Sequence, residues 1–122
     1  MPRPPVVRLR WSAVDDQLQR RLASNQAMFR KVNEGIARGQ WPGDENQRVG
    51  FRCECARLGC NSLVQLTPRD YERVRANPRR FVIIAGHELP DVEHVVDRSY
   101  GYFVVEKHDE AGVVAQETDP RS

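Results

Sequence analysis

The chain has 122 residues, 39% of them hydrophobic and 30% charged, which is the balance of one soluble globular domain and excludes two independent cores or a disordered polymer. No stretch approaches the roughly 18 apolar residues of a membrane helix, and the first ten residues lack the apolar run of a secretory signal. The expected location is therefore the cytoplasm, where thiols stay reduced and clustered cysteines more often hold metal than pair.

The net charge of +2 hides an asymmetry. Residues 1–85 hold 16 basic and 8 acidic groups, so +8, whereas residues 86–122 hold 3 and 9, so −6. Such separation either steers an acidic partner toward the first part or is neutralised internally, and the alternating signs within each part favour the second reading. Only Lys31 and Lys107 are lysine among the 19 basic residues, a bias that fits a GC-rich bacterial genome.

Residues 1–11 read as a flexible lead rich in Pro and Arg. Ser12 with Asp15 is a loose capping box, opening an amphipathic helix over residues 12–39 that Gly39 and Pro42 stop. Its apolar positions are Val14, Leu18, Leu22, Phe29, Val32 and Ile36, with Asn25 in the gap; from Leu18 the spacing is that of a short heptad seam. The seam is expected to pack on the protein's own sheet. The alternative is self-association through residues 14–36, with Asn25 setting the register.

Residues 40–48 are turn formers and polar groups, a linker that Trp41 would tack to the core. Residues 49–108 form the α+β core. Strands are expected over 49–55 and 61–66, so that the cysteine loop is a hairpin tip resembling a zinc knuckle. Thr67 and Pro68 open a short helix over 68–76. The apolar run 81–85 reads as a buried central strand, and 92–97 with 102–107 as a second hairpin around Ser99-Tyr100-Gly101. Residues 109–122 read as a polar tail with a helical turn near 111–116. The fold class is α+β: a long amino-terminal helix, then a small, mainly antiparallel sheet with one short helix.

The chemistry concentrates in residues 51–60, which contain all three cysteines, Cys53, Cys55 and Cys60. Two apart on an extended segment, Cys53 and Cys55 face the same way. Gly59 can take a positive φ and return Cys60 to the same point. Zinc takes four such ligands at about 2.0–2.3 Å, Cys3His among them. His87 is the fourth candidate, because it follows a buried strand at a Gly86 turn, whereas His94 and His108 read as surface histidines. Glu88 could orient the imidazole, and Arg52 and Arg57 could offset the charge of the thiolates. A metal-free redox dithiol and merely packed thiols are the competing readings.

Arg69, Arg73, Arg75, Arg79 and Arg80 cluster on and after the short helix and could meet phosphate. There is no recognition-helix pattern, nucleophile elbow or phosphate-cradling loop. Four protein ligands would leave no position for an activated water. The expected function is a non-enzymatic module with one structural Zn²⁺ that binds a macromolecule, a protein, in a regulatory role. A redox-responsive thiol/zinc switch and a nucleic-acid binder are the alternatives.

The chain also resembles a group of small bacterial proteins of high-GC Gram-positive type. The resemblance spans residues 20–122 and rests on several blocks in order: Asn25-Gln-Ala-Met-Phe-Arg-Lys-Val-Asn33-Glu34, Phe51-Arg-Cys-Glu-Cys55, Cys60, Tyr71-Glu72-Arg73-Val74-Arg75, Gly86-His87-Glu88, Val104-Val-Glu-Lys107 and Thr118-Asp-Pro-Arg-Ser122. The group commonly has Pro-Gly-His where this chain has Ala85-Gly86-His87. The resemblance implies one compact unit holding the Cys and His blocks, and no activity.

Overall fold

The structure, a computed structural model, describes residues 13–40, 43–55, 57 and 59–121, without the side chains of residues 13–16 and 19. The lead, the Ser12 cap, the Val14 side chain and Trp41 lie outside the described residues. Helix α1 runs over Ala13–Gln40, followed by β1 (Val49–Arg52), β2 (Leu63–Leu66), α2 (Pro68–Arg75), β3 (Arg80–Ile83), β4 (Glu93–Ser99), β5 (Tyr102–Lys107) and α3 (Asp109–Glu117). The class is α+β, as expected.

The strands form two antiparallel sheets. β1 pairs with β2 from Val49↔Leu66 to Arg52↔Leu63, so residues 53–62 are the hairpin tip. The second sheet has the order β3-β5-β4. The apolar run therefore lies at an edge, and β5 is the central strand. β3 is nonetheless buried, because its outer edge is sealed by the cysteine loop: the Glu54 amide donates to Val82 O at 2.8 Å, and the Val82 amide donates to Glu54 Oε1 at 2.9 Å. The β4–β5 turn passes through Gly101 at φ 94°, and a bulge between Val95 and Asp97 shifts the register.

Helix α2 starts as its sequence dictates. Thr67 Oγ1 accepts from the Asp70 amide at 3.0 Å, and Pro68 occupies the first turn, where its missing N–H costs nothing. Phe51 stacks on Tyr71 with ring centroids 4.7 Å apart, and both belong to a core cluster with Ala37, Val64, Leu66, Val74, Val82 and Val104. A second cluster contains Cys53, Cys55, Phe81, Ile83, Val105 and Ala115.

Two further expectations are corrected, besides that of a central strand at 81–85. The buried face of α1 is not the heptad seam but the stripe one residue on, comprising Ala23, Gln26, Ala27, Arg30, Asn33, Glu34 and Ala37. Leu18 is 51% and Val32 46% exposed, whereas Leu22, Asn25, Phe29 and Ile36 are half-buried, so the seam lies at the margin of the docked face. The polar groups of the buried stripe are tolerated because most of their atoms are bonded, Gln26 Oε1 and Arg30 Nε being exceptions. Arg30 donates to Pro78 O at 2.6 Å and to Ala115 O at 2.7 Å, with its guanidinium 4.5 Å from the Phe81 centroid. Asn33 bonds both the amide and the carbonyl of Arg52. The carboxyl-terminal segment is likewise not a loose tail: α3 packs Ala111, Val114 and Ala115 inward. Asp119 and Arg121 then return to the body, pairing with Arg75 and with Glu34 and Glu72, respectively.

Candidate metal centre

Three short devices bring the site together. The Cys53 amide donates to Ser62 O at 3.0 Å, extending the ladder one residue past β1. In this extended run Cys53 and Cys55 take one side while Glu54 takes the other. Gly59, at φ 78°, turns the loop, and the Cys60 amide donates to Arg57 O at 3.3 Å. Gly86, at φ 93°, makes the matching turn after β3, closed by the His87 amide donating to Ile84 O at 3.0 Å.

The ligand atoms of Cys53, Cys55, Cys60 and His87 all lie within 4.8 Å of one another. His87 Nδ1 is 3.6 Å from Cys53 Sγ and 3.7 Å from Cys60 Sγ. A tetrahedral zinc with ordinary bond lengths places sulfur and nitrogen about 3.6 Å apart and two sulfurs about 3.8 Å apart. The cluster can hold a metal ion once separations of up to 4.8 Å contract by about 1 Å. Cys53 and Cys55 are buried; Cys60 and His87 are half-buried.

Burial raises the Cys53 thiol well above its ordinary pKa, with the neighbouring cysteines adding to the rise and the Ile84 amide, 3.2 Å from Sγ, opposing it. Burial raises Cys55 as well. At Cys60 burial also opposes ionisation, but Ser62 and the adjacent thiols hold it below the ordinary value. Protons confined this way are those a divalent cation displaces when thiols become ligands.

The surroundings differ in part from expectation. Arg57 donates to Gly86 O at 2.9 Å, tying the two ligand loops together. Arg52 lies over Phe29, 4.9 Å from the ring centroid. Glu88 accepts from the Gly86 amide at 2.9 Å, so it fixes the turn that carries His87. His94 and His108 stack on each other at 5.9 Å and take no part in the cluster.

Sequence reasoning missed the groups behind the loop. Glu54 is fully buried and accepts from Asn33 Nδ2 at 2.7 Å and from Tyr71 Oη at 2.8 Å, in addition to Val82. Burial lifts its carboxyl above the usual range against the pull of those donors. Lys107, 1% exposed, pairs with buried Glu93; burial lowers its pKa, while Glu93 and Cys55 act to raise it. Strand alternation carries a signal for both. A charge between two inward cysteines must point the opposite way, and Lys107 shares a face with Val105.

The arginines of the α2 region each meet a partner: Arg73 with Asp70, Arg75 with Glu34 and Asp119, Arg79 with Gln116, Arg80 with Glu106, and Arg69 with Asn46. Among the described residues, no helix is long and apolar enough to cross a membrane. No protein-family model, curated protein or solved structure matches the chain.

Proposed function

We propose that this protein is a non-enzymatic, zinc-stapled module of the reducing cytoplasm that binds a protein partner in a regulatory role. The observation carrying the proposal is the convergence of three Sγ atoms and one Nδ1 within 4.8 Å. Soft thiolates with one imidazole suit zinc. Four protein ligands close the tetrahedron, leaving the metal a structural task. It would join the β1–β2 hairpin tip to the loop after β3, and so one sheet to the other. Engagement of the α2 arginines with groups of the same chain favours a protein over a nucleic acid as partner, and the exposed Leu18, Met28 and Val32 of α1 offer apolar surface.

The test is elemental analysis of protein purified without added metal. One zinc per chain is expected, and a chelator should lower the melting temperature by more than about 10 °C, since a ligand bound far above its Kd contributes several kcal/mol. Cys53→Ser should do the same. Metal-free protein with an unchanged melting temperature on chelation would remove the proposal.

A second reading is favoured by Cys60, which is half-buried and has the lowered thiol pKa. Hydrogen peroxide would take its thiolate to the sulfenic acid, with loss of hydroxide. A neighbouring cysteine thiolate would then close a disulfide, again releasing hydroxide, and the metal would leave. Zinc release at near-stoichiometric peroxide is the result this switch requires.

A further inference from the structure

A cleft of about 230 Å³ lies between the amino-terminal half of α1, the loop before β4 and the start of α3. None of the four metal-centre residues lines it, and the inference drawn from it does not rest on the metal reading. Its walls are largely apolar, with Leu18, Leu22, Leu89, Val92 and Ala111 among them; the exposed Asp91 and two buried polar side chains, Gln26 and Lys107, share the lining.

Neither of those polar groups is fully used. Gln26 is 0% exposed; its Nε2 donates to Glu54 O at 2.9 Å, but its Oε1 has no hydrogen-bond partner. Lys107 carries three N–H donors and has one ion-pair partner, Glu93. A buried acceptor and a buried donor lining one largely apolar cleft are the elements of a small-ligand site.

We propose that this cleft binds a small amphipathic molecule with an uncharged head that both donates and accepts, such as a primary amide. The head N–H would donate to Gln26 Oε1 and its carbonyl would accept from Lys107 Nζ. An anionic head is disfavoured, because Glu93 already neutralises Lys107 and an incoming anion would meet that carboxylate as well as Asp91. Size follows by proportion: an apolar cavity of about 150 Å³ takes one benzene, so this one takes about nine non-hydrogen atoms.

The experiment is an amide ¹H–¹⁵N titration of the full chain with heptanamide, beside its isomer N,N-dimethylpentanamide, which has the same atoms and no N–H. Heptanamide should saturate with a Kd of about 1 mM or tighter, shifting Leu22, Val92, Lys107 and Ala111. The isomer should bind at least about tenfold more weakly, the scale of one lost buried hydrogen bond. Leu22→Trp should abolish binding by filling the cleft; Leu89→Trp, from the opposite wall, serves if the first variant does not fold. Absence of saturation, equal affinity for the two isomers, or binding unaffected by a folded filling variant would each overturn the proposal.

Discussion

Between two cysteines that face one way, Glu54 faces the other, and its carboxylate gathers a side chain from α1, a hydroxyl from α2 and an amide from β3. Removing it would take an acceptor from three buried donors at once, leaving Tyr71 Oη only Arg30 O at 3.4 Å and Asn33 Nδ2 only Arg52 O. Glu54→Ala is expected to destabilise the protein by about 3–5 kcal/mol, read from urea unfolding with metal-saturated samples, whereas a loss below about 1 kcal/mol would show that the donors find other partners. Gly86 presents a different kind of constraint. A Cβ there would meet no atom within 4 Å, yet φ is 93°, so Gly86→Ala carries conformational strain alone. The expected cost is about 1–2 kcal/mol, accompanied by weaker metal retention in a chelator competition, because the same turn carries His87. The glycine turns at 59 and 86 and the cysteine pairing were legible in the residues themselves. Gln26 and Asn33 were not, since nothing local distinguishes a buried, bonded polar side chain from a solvated one.

At the scale of elements, helix α1 shows why hydropathy misplaced a face. The heptad seam and the buried stripe have the same periodicity and differ by one residue, about 100° around the axis. The stripe that docks carries Gln26, Arg30, Asn33 and Glu34, whose burial is compensated by hydrogen bonds that a hydropathy pattern does not contain. The same blindness applies to the carboxyl-terminal segment, where Asp119 and Arg121 read as tail residues but clamp α2 to α1 through Arg75 and Glu34. β3 was recognisable as buried from its apolar run, but not as an edge, because the seal comes from a loop. The hairpins and the start of α2, by contrast, follow from local turn and cap residues and lie where expected. Arg75 is 2% exposed and holds two carboxylates. Arg75→Ala leaves both short of a counterion and should cost about 3–5 kcal/mol by denaturant unfolding; a cost under about 1 kcal/mol would mean that Arg121 suffices for both.

Across the whole molecule, the basic first part and the acidic last part cancel each other in space. Arg75 meets Asp119, Arg80 meets Glu106, and Arg20 meets Glu110 and Glu117. The surface is accordingly less polarised than the linear order of charges suggests. These pairs also set the acid response. Burial opposes ionisation of Glu34, but Arg121 and Arg75 together hold its carboxyl below the ordinary 4.5; at Asp119 burial likewise opposes, while the Arg121 amide and Arg75 hold it below 3.8. For depressed carboxylates the stabilisation is complete above the unfolded-state values and is lost as pH falls through the lower folded-state ones. Wild type should therefore exceed Glu34→Gln in stability by a constant margin from pH 7 to about 5. That margin should shrink steadily below pH 4.5, and a margin independent of pH would exclude the linkage. The seal along β3 has its own consequence. A strand whose outer rim is guarded by a loop rather than by another strand becomes a template for foreign backbone once the guard swings away. Disturbance of the cysteine loop thus uncovers unpaired backbone to which a second chain can add a strand.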